Sequence, residues 1–225
     1  MKRSKINRCI KDAEAAFETA GFALPEWAHW TEDEWKRSKD SIGTIVEANL
    51  GWDLTDFGLG QYDERGLLLF TVRNGTLSGS VPLPYAEKLM IVGDRQVTPM
   101  HFHWHKTEDI INRGGGELVL KLQMADRKTE ALTDETFTVY RDGIRIDAPP
   151  GMEVRLQPGQ SITLTPYLYH SFWAENGQCI VGEVSAVNDD NTDNRFLDPI
   201  GRFPAIEEDE APYRLLCTDY SGVLS

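Results

Sequence analysis

Four of the chain's five histidines fall in two short stretches. The segment TPMHFHWHKTEDIINRGGGE sets His101, His103 and His105 beside Glu108 and Asp109 within nine residues, and His170 ends the run SITLTPYLYH. Imidazole nitrogens and carboxylate oxygens are ligands for divalent first-row metals. Residues i and i+2 of a strand project from one face, so His101 and His103 can reach the same ion while a carboxylate on the next strand completes the set. A turn and a second strand can return His170 across a barrel as a third imidazole. His105 shares strand parity with its neighbours and is available as a supporting or substrate-facing group. Three imidazoles and one carboxylate suit manganese, iron, cobalt, nickel and zinc, so ligand type does not choose among them.

Groups so arranged need a scaffold. From about residue 66 the chain breaks into short alternating or β-branched runs separated by turn residues: GLLLFTVRNG, EKLMIVG, TPMHFHWH, ELVLKLQM, ETFTVYRDG, MEVRLQPGQ, SITLTP and QCIVGEVSAV. Seven or eight short strands predict a barrel or sandwich. Asn74-Gly75 and Asp142-Gly143 carry the signal for tight hairpins, which makes neighbours antiparallel and favours a jelly-roll barrel. Ahead of the barrel, Ile6, Ile10, Ala13 and Phe17 recur at helical spacing, with Gly21 as a stop before Pro25. Thr31 and Glu34 resemble a capping box, and a further helix is expected from Ser41 to Leu50. Trp27, Trp30 and Trp35 predict packing of this arm against the body. The organisation expected is a mainly β domain: a helical extension over residues 1–60, and a barrel with a C-terminal wrap over residues 61–225.

Composition narrows the partners. A formal net charge of −13 disfavours nucleic acid and anionic membrane surfaces. No apolar run reaches the roughly 20 residues of a membrane span, and the N-terminus is charged throughout, so a cytoplasmic protein is expected. Cys9, Cys179 and Cys217 form no paired motif and are expected to be idle thiols.

The spacing His101-x-His103, then Glu108, then Gly115 resembles the first cupin motif. Gly159, Pro166 and His170 follow the second in looser spacing. The resemblance implies a cupin jelly-roll barrel whose metal is held by His101, His103, Glu108 and His170, and it leaves His105 outside the ligand set. It extends further. The WAHW segment, DFGLGQYDERGLLLFTVRNG, HFHWHKTEDIINRGGGELVLKL and GEVSAVNDDNTDNRF are together similar to the D-lyxose isomerase family of cupin-type aldose-ketose isomerases. That likeness implies interconversion of D-lyxose with D-xylulose, and of D-mannose with D-fructose, a divalent metal best served by manganese, and a homodimer.

Such chemistry moves a proton between C1 and C2 while the adjoining oxygens are polarised, a task for a Lewis-acidic ion together with a protein acid and base. Lys106, between His103 and Glu108, can donate to a substrate oxygen or cycle as the acid-base partner. Glu183, in the apolar run CIVGEVSAV, is costly to bury unless paired or used, and takes the base role. Asp190, Asp193 and Arg195 supply acceptors and donors for sugar hydroxyls. Tyr167, with Tyr169, Phe172 and Trp173, flanks His170 as an aromatic wall for the C–H face of a sugar. Competing readings are a dioxygenase or phosphosugar isomerase on the same barrel, or a sugar-binding cupin without turnover; no basic cluster for a phosphate lies near the motif.

Overall fold

The run Leu67-Leu68-Leu69-Phe70 has no polar residue to mark an outer face, because both of its faces are covered. Leu67 and Leu69 enter one core with Met90, Ile110, Leu120 and Phe172, whereas Leu68 and Phe70 enter a second core beneath the N-terminal helix. This strand belongs to the antiparallel sheet that dominates the computed structural model, which describes residues 1–224. In chain order the strands are β1 (Gly51–Thr55), β2 (Leu67–Arg73), β3 (Tyr85–Val92), β4 (Thr98–Phe102), β5 (Glu108–Met124), β6 (Phe137–Arg141), β7 (Ile144–Ala148), β8 (Met152–Leu156), β9 (Ser161–Leu164), β10 (Leu168–Ala186) and β11 (Arg195–Phe196). The mainly β fold with an N-terminal helix is thus as expected.

Two long strands organise the barrel. Strands β5 and β10 pair with each other nearly end to end, from Glu108↔Ser185 to Leu122↔His170 and Leu168↔Met124. On its other edge β5 takes β9 with its first half and β8 with its second. The first half of β10 takes β4 and the second half takes β3. The ribbon they form bends where Gly114 and Gly115 adopt φ of 153° and 95°, opposite register shifts between Glu175 and Val181. A side chain at Gly115 would meet the Gln178 carbonyl oxygen at 2.1 Å, so only glycine allows the two backbones to close there. The sequence reading of ELVLKLQM and QCIVGEVSAV as separate short strands is corrected by this bend: each is half of a longer, folded strand.

The arm forms as its periodicity requires. Ile6, Ile10, Ala13 and Phe17 are the buried apolar face of α1 (Arg3–Thr19), which lies over Trp52, Leu54, Phe70 and Leu89. Thr31 and Glu34 make the reciprocal capping box that starts α2 (Glu32–Arg37), and α3 (Gly43–Glu47) follows. Trp27 stacks on Phe70 and meets Trp35 edge-on, which docks the arm on β2. β1 lies inside the stretch expected to be helical and pairs with β2. The C-terminal segment wraps back over α1, where the buried Arg3 guanidinium donates to Glu208 and Asp219.

Of the two hairpins read from the sequence, one holds. Asp142 and Gly143, with φ of 51° and 77°, form a two-residue turn closing Arg141↔Ile144. Asn74-Gly75 does not: residues 74–84 form a longer connection between β2 and β3. Asn74 is buried, and its side chain is spent on Ala48 and Asn188 rather than on a turn.

Candidate active site

His170 and Glu108 stand near opposite ends of the β5–β10 ribbon, paired with Leu122 and Ser185 respectively. The bend nevertheless brings His170 Nε2 to 3.1 Å from Glu108 Oε1. β4 carries His101 beside His170, and the chain just beyond it places His103 Nε2 3.5 Å from the same carboxylate oxygen. The coordinating nitrogens of His101, His103 and His170 all lie within 4.8 Å of one another. Each ring is oriented by its other nitrogen: Nδ1 of His101, His103 and His170 faces the carbonyl oxygen of Pro99, Asp193 and Leu168 respectively. A carbonyl only accepts, so Nδ1 carries a proton and each ring turns its Nε2 toward the cluster.

Burial, reinforced by the neighbouring His170 and His103, holds the His101 imidazole well below its usual range and so neutral. Burial pushes the Glu108 carboxyl up, but Lys106 and His103 outweigh it and hold the group well below the carboxylate range. Glu108 Oε1 and His170 Nε2 are both buried without a hydrogen-bond partner among the described residues, and they face each other. A divalent cation satisfies such a set, and three imidazoles with one carboxylate are a fitting donor group for it.

Beside this cluster Lys106 is buried, with its three ammonium donors directed at Glu108 Oε2 (2.7 Å), Glu183 Oε1 (3.0 Å) and Asn188 Oδ1 (3.0 Å). Burial disfavours its charge, yet Glu108, Glu183 and Asp190 outweigh that and raise its pKa. The ammonium form is therefore the resting one, which fits a proton donor and argues against a resting free amine. Glu183 comes from the C-terminal part of β10. Burial pushes its carboxyl up, and Lys106 and Lys88 together hold it below the usual range. Lys106, Lys88 and Ser185 all approach Glu183 at Oε1; among the described residues Oε2 carries no such contact. The cavity these groups line also exposes Phe57, Phe172 and Phe196.

Comparison with known proteins gives the family. Residues 1–220 match the D-lyxose isomerase family. A D-lyxose/D-mannose isomerase of Serratia proteamaculans is 46% identical over 98% of both chains, and one of Escherichia coli O157:H7 is equally so. The chain belongs to the D-lyxose isomerase family. It is a sugar isomerase by that membership. In fold it is similar to an Acinetobacter L-ribose isomerase (TM-score 0.61, 18% identity, 92% of this chain and 98% of the other). A Cellulomonas parahominis L-ribose isomerase is also similar (TM-score 0.59, 16% identity, 92% and 98%).

Within this D-lyxose isomerase family member the remaining predicted residues separate into those that reach the cavity and those that do not. Asp190 reaches it, 3.1 Å from Arg202 and 3.8 Å from Lys88. Asp193 does not line it: Oδ1 accepts from the backbone N–H of Trp104 and His105, and Oδ2 from that of Lys106. It braces the turn bearing His103. His105 faces solvent, because β4 ends at Phe102 and strand parity does not extend into that turn. Arg195 turns away to Glu130. Tyr167 stacks on Phe102 outside the cavity, since its φ of 64° breaks the alternation around His170; of the four aromatics near that histidine, Phe172 alone lines the site.

Two groups that line the cavity, and a third that contacts its lysines, lie outside the set expected from sequence. Lys88 is buried in β3 with Asn188 at 2.8 Å and Glu183 at 3.4 Å, and its charge within the apolar run EKLMIV is the same signal that marks Glu183. Arg202 enters from the C-terminal wrap, donating to Asp53 at 2.6 Å. Asn188 has no signal beyond its acidic, polar surroundings. Cys9, Cys179 and Cys217 are free, and no helix among the described residues is long and apolar enough to cross a membrane.

Proposed function

We propose that this protein interconverts D-lyxose with D-xylulose, and D-mannose with D-fructose, by proton transfer through an enediol, using a divalent metal for which manganese is the first choice. His101, His103, Glu108 and His170 would hold that metal. When bound it supplies Lewis-acid polarisation of the sugar's carbonyl and hydroxyl oxygens. The observation that carries the reading is the convergence of three imidazole nitrogens and Glu108 Oε1 beside the buried Lys106–Glu183 pair.

The protein's own groups divide the remaining work. Glu183, with Oε2 uncommitted, accepts the proton from C2 of the aldose and returns it to C1 of the enediol. Lys106, an ammonium at rest, donates to O1 as that oxygen becomes a hydroxyl, and recovers a proton from O2 as the ketone forms. Asp190, Lys88 and Arg202 offer acceptors and donors to the distal hydroxyls; Arg202 Nη1 is buried without a partner among the described residues. Phe57, Phe172 and Phe196 give the C–H faces an apolar wall and keep bulk water from the enediol. The named activity of the 46%-identical relatives supports the choice of sugars. A homodimeric, cytoplasmic enzyme is part of the same proposal.

The test is direct. Chelator-treated protein is given D-lyxose, D-mannose or a phosphorylated hexose, manganese is restored, and ketose is followed. Ketose from the free sugars, restored by metal, is the expected result; none from either free sugar after reconstitution overturns the proposal. Sedimentation of the same sample checks the dimer.

A further inference from the structure

The Asn74-Gly75 pair, which does not make the hairpin its sequence suggests, lines a separate pocket together with Asn188, which reaches Lys88 and Lys106. Asn74 is 4% exposed. Its side-chain Nδ2 donates to the backbone carbonyl of Asn188 at 2.8 Å and to that of Ala48 at 3.2 Å, while its Oδ1 accepts the backbone N–H of Asn188 at 3.0 Å. Both backbone groups of Asn188 are thus held by one amide, two residues beyond the end of β10. Gly75 closes the connection against Leu83, whose carbonyl oxygen would lie 1.8 Å from a side chain placed there.

The side chain of Asn188 points the other way, toward the charges. Its Oδ1 accepts from Lys88 Nζ at 2.8 Å and from Lys106 Nζ at 3.0 Å. It is the one neutral acceptor among the three that fix Lys106, the others being the Glu108 and Glu183 carboxylates. Without it, Lys106 keeps only its two carboxylates and Lys88 only Glu183 at 3.4 Å and Asp190 at 3.8 Å, so the balance of charge alone would set where each ammonium rests. A neutral oxygen at this point sets direction while adding no negative charge to a cluster that already holds Glu108, Glu183 and Asp190.

We propose that Asn188 is a positioning residue for the isomerase reaction, held in register by Asn74, and that it aims Lys106 and Lys88 relative to Glu183. Asn188 acts through the lysines, and Asn74 acts through Asn188. The inference rests on the reading of Lys106 and Glu183 as acid and base.

The experiment compares kcat and KM of manganese-reconstituted Asn74→Ala, Asn188→Leu and the double variant with a free aldose, at a temperature where melting curves show each to be folded. Misdirected reacting groups cost turnover more than binding, so kcat is expected to fall about 10- to 100-fold for Asn188→Leu, with KM within about threefold. Asn74→Ala is expected to lower kcat about tenfold, and the double variant to be no slower than Asn188→Leu alone, because two steps of one chain of contacts are not additive. A merely structural pair would lower the melting temperature and leave kcat of the folded enzyme unchanged, which overturns the proposal. Multiplicative losses in the double variant overturn the link between Asn74 and Asn188. If Asn74→Ala fails to fold, the kcat and KM of Asn188→Leu decide alone. Undiminished turnover in Glu183→Gln would instead overturn the acid-base reading beneath.

Discussion

Lys106 and Glu183 meet at 3.0 Å although 77 residues separate them in the chain, one in the turn after β4 and the other near the C-terminal end of β10. Both are buried. Buried charges are tolerated here because each has an opposite partner, and breaking such a pair by removing one member typically costs about 3–5 kcal/mol. Glu183→Gln keeps the shape and a hydrogen-bonding oxygen while removing the base. Its kcat is expected to fall about 10²- to 10⁴-fold, the usual share of general acid-base catalysis, with metal content unchanged. Steady-state kinetics with metal analysis on one sample checks both halves; turnover near the wild-type value would remove Glu183 from the mechanism.

A second expectation concerns Glu108 Oε1 and His170 Nε2, which face each other without a hydrogen-bond partner among the described residues. A cation at this set binds the folded chain only, so manganese at about 100-fold over its Kd adds about 2.7 kcal/mol. For a chain of this size that is about 5–10 °C in melting temperature. Calorimetry with and without chelator should show the difference in the native protein and lose it in His170→Ala. An equal difference in His170→Ala would mean that the stabilising ion sits elsewhere.

How much of this is legible in the sequence depends on how local each signal is. His101, His103 and Glu108 lie within eight residues, and the local periodicity that groups them survives folding. His170 needs the second motif, because its approach to Glu108 is made by a bend at Gly114 and Gly115 that no local pattern measures. His105 departs from expectation since parity holds only while the strand lasts, and β4 stops three residues short of it. Asn74-Gly75 carries a turn signal that its burial overrides. Arg202 sits in PIGRFP, where nothing local marks a residue that reaches the cavity from the wrap.

Acid should loosen the helical arm. Glu14 on α1 accepts from Arg214 at 2.9 Å and Tyr213 at 2.8 Å, with His29 at 2.9 Å. Burial raises its pKa, but Arg214, Tyr213 and His29 outweigh it, and the carboxyl titrates below its usual range. A folded-state pKa below the unfolded one gives stability that is fully present above the unfolded value, about 4.3, and is lost as pH falls through the folded value. Because the pair is partly solvated, its worth is about 1 kcal/mol. Glu14→Gln should be less stable than the native protein by about that amount at pH 7 in urea titration, with the gap closing toward pH 3. A gap that persists at pH 3 would assign the loss to packing instead of charge.

Gly115 and Gly143 separate two costs that glycine substitution usually mixes. Gly143, at φ 77° in the hairpin turn, has nothing within 4 Å of the place a methyl group would take, so Gly143→Ala meets only backbone strain, about 1 kcal/mol. Gly115→Ala meets strain at φ 95° and also the Gln178 carbonyl oxygen at 2.1 Å. Backbone cannot yield as a flexible side chain can, so the β5–β10 ribbon must open at its bend, for about 3 kcal/mol or more. The same bend sets the approach of His170 to Glu108, which gives a readout beyond stability. Gly115→Ala should lose manganese affinity at temperatures where it is still folded, while Gly143→Ala binds as the native protein does. Isothermal titration of the two variants checks this, and equal affinities would mean that the metal cluster is held without the bend.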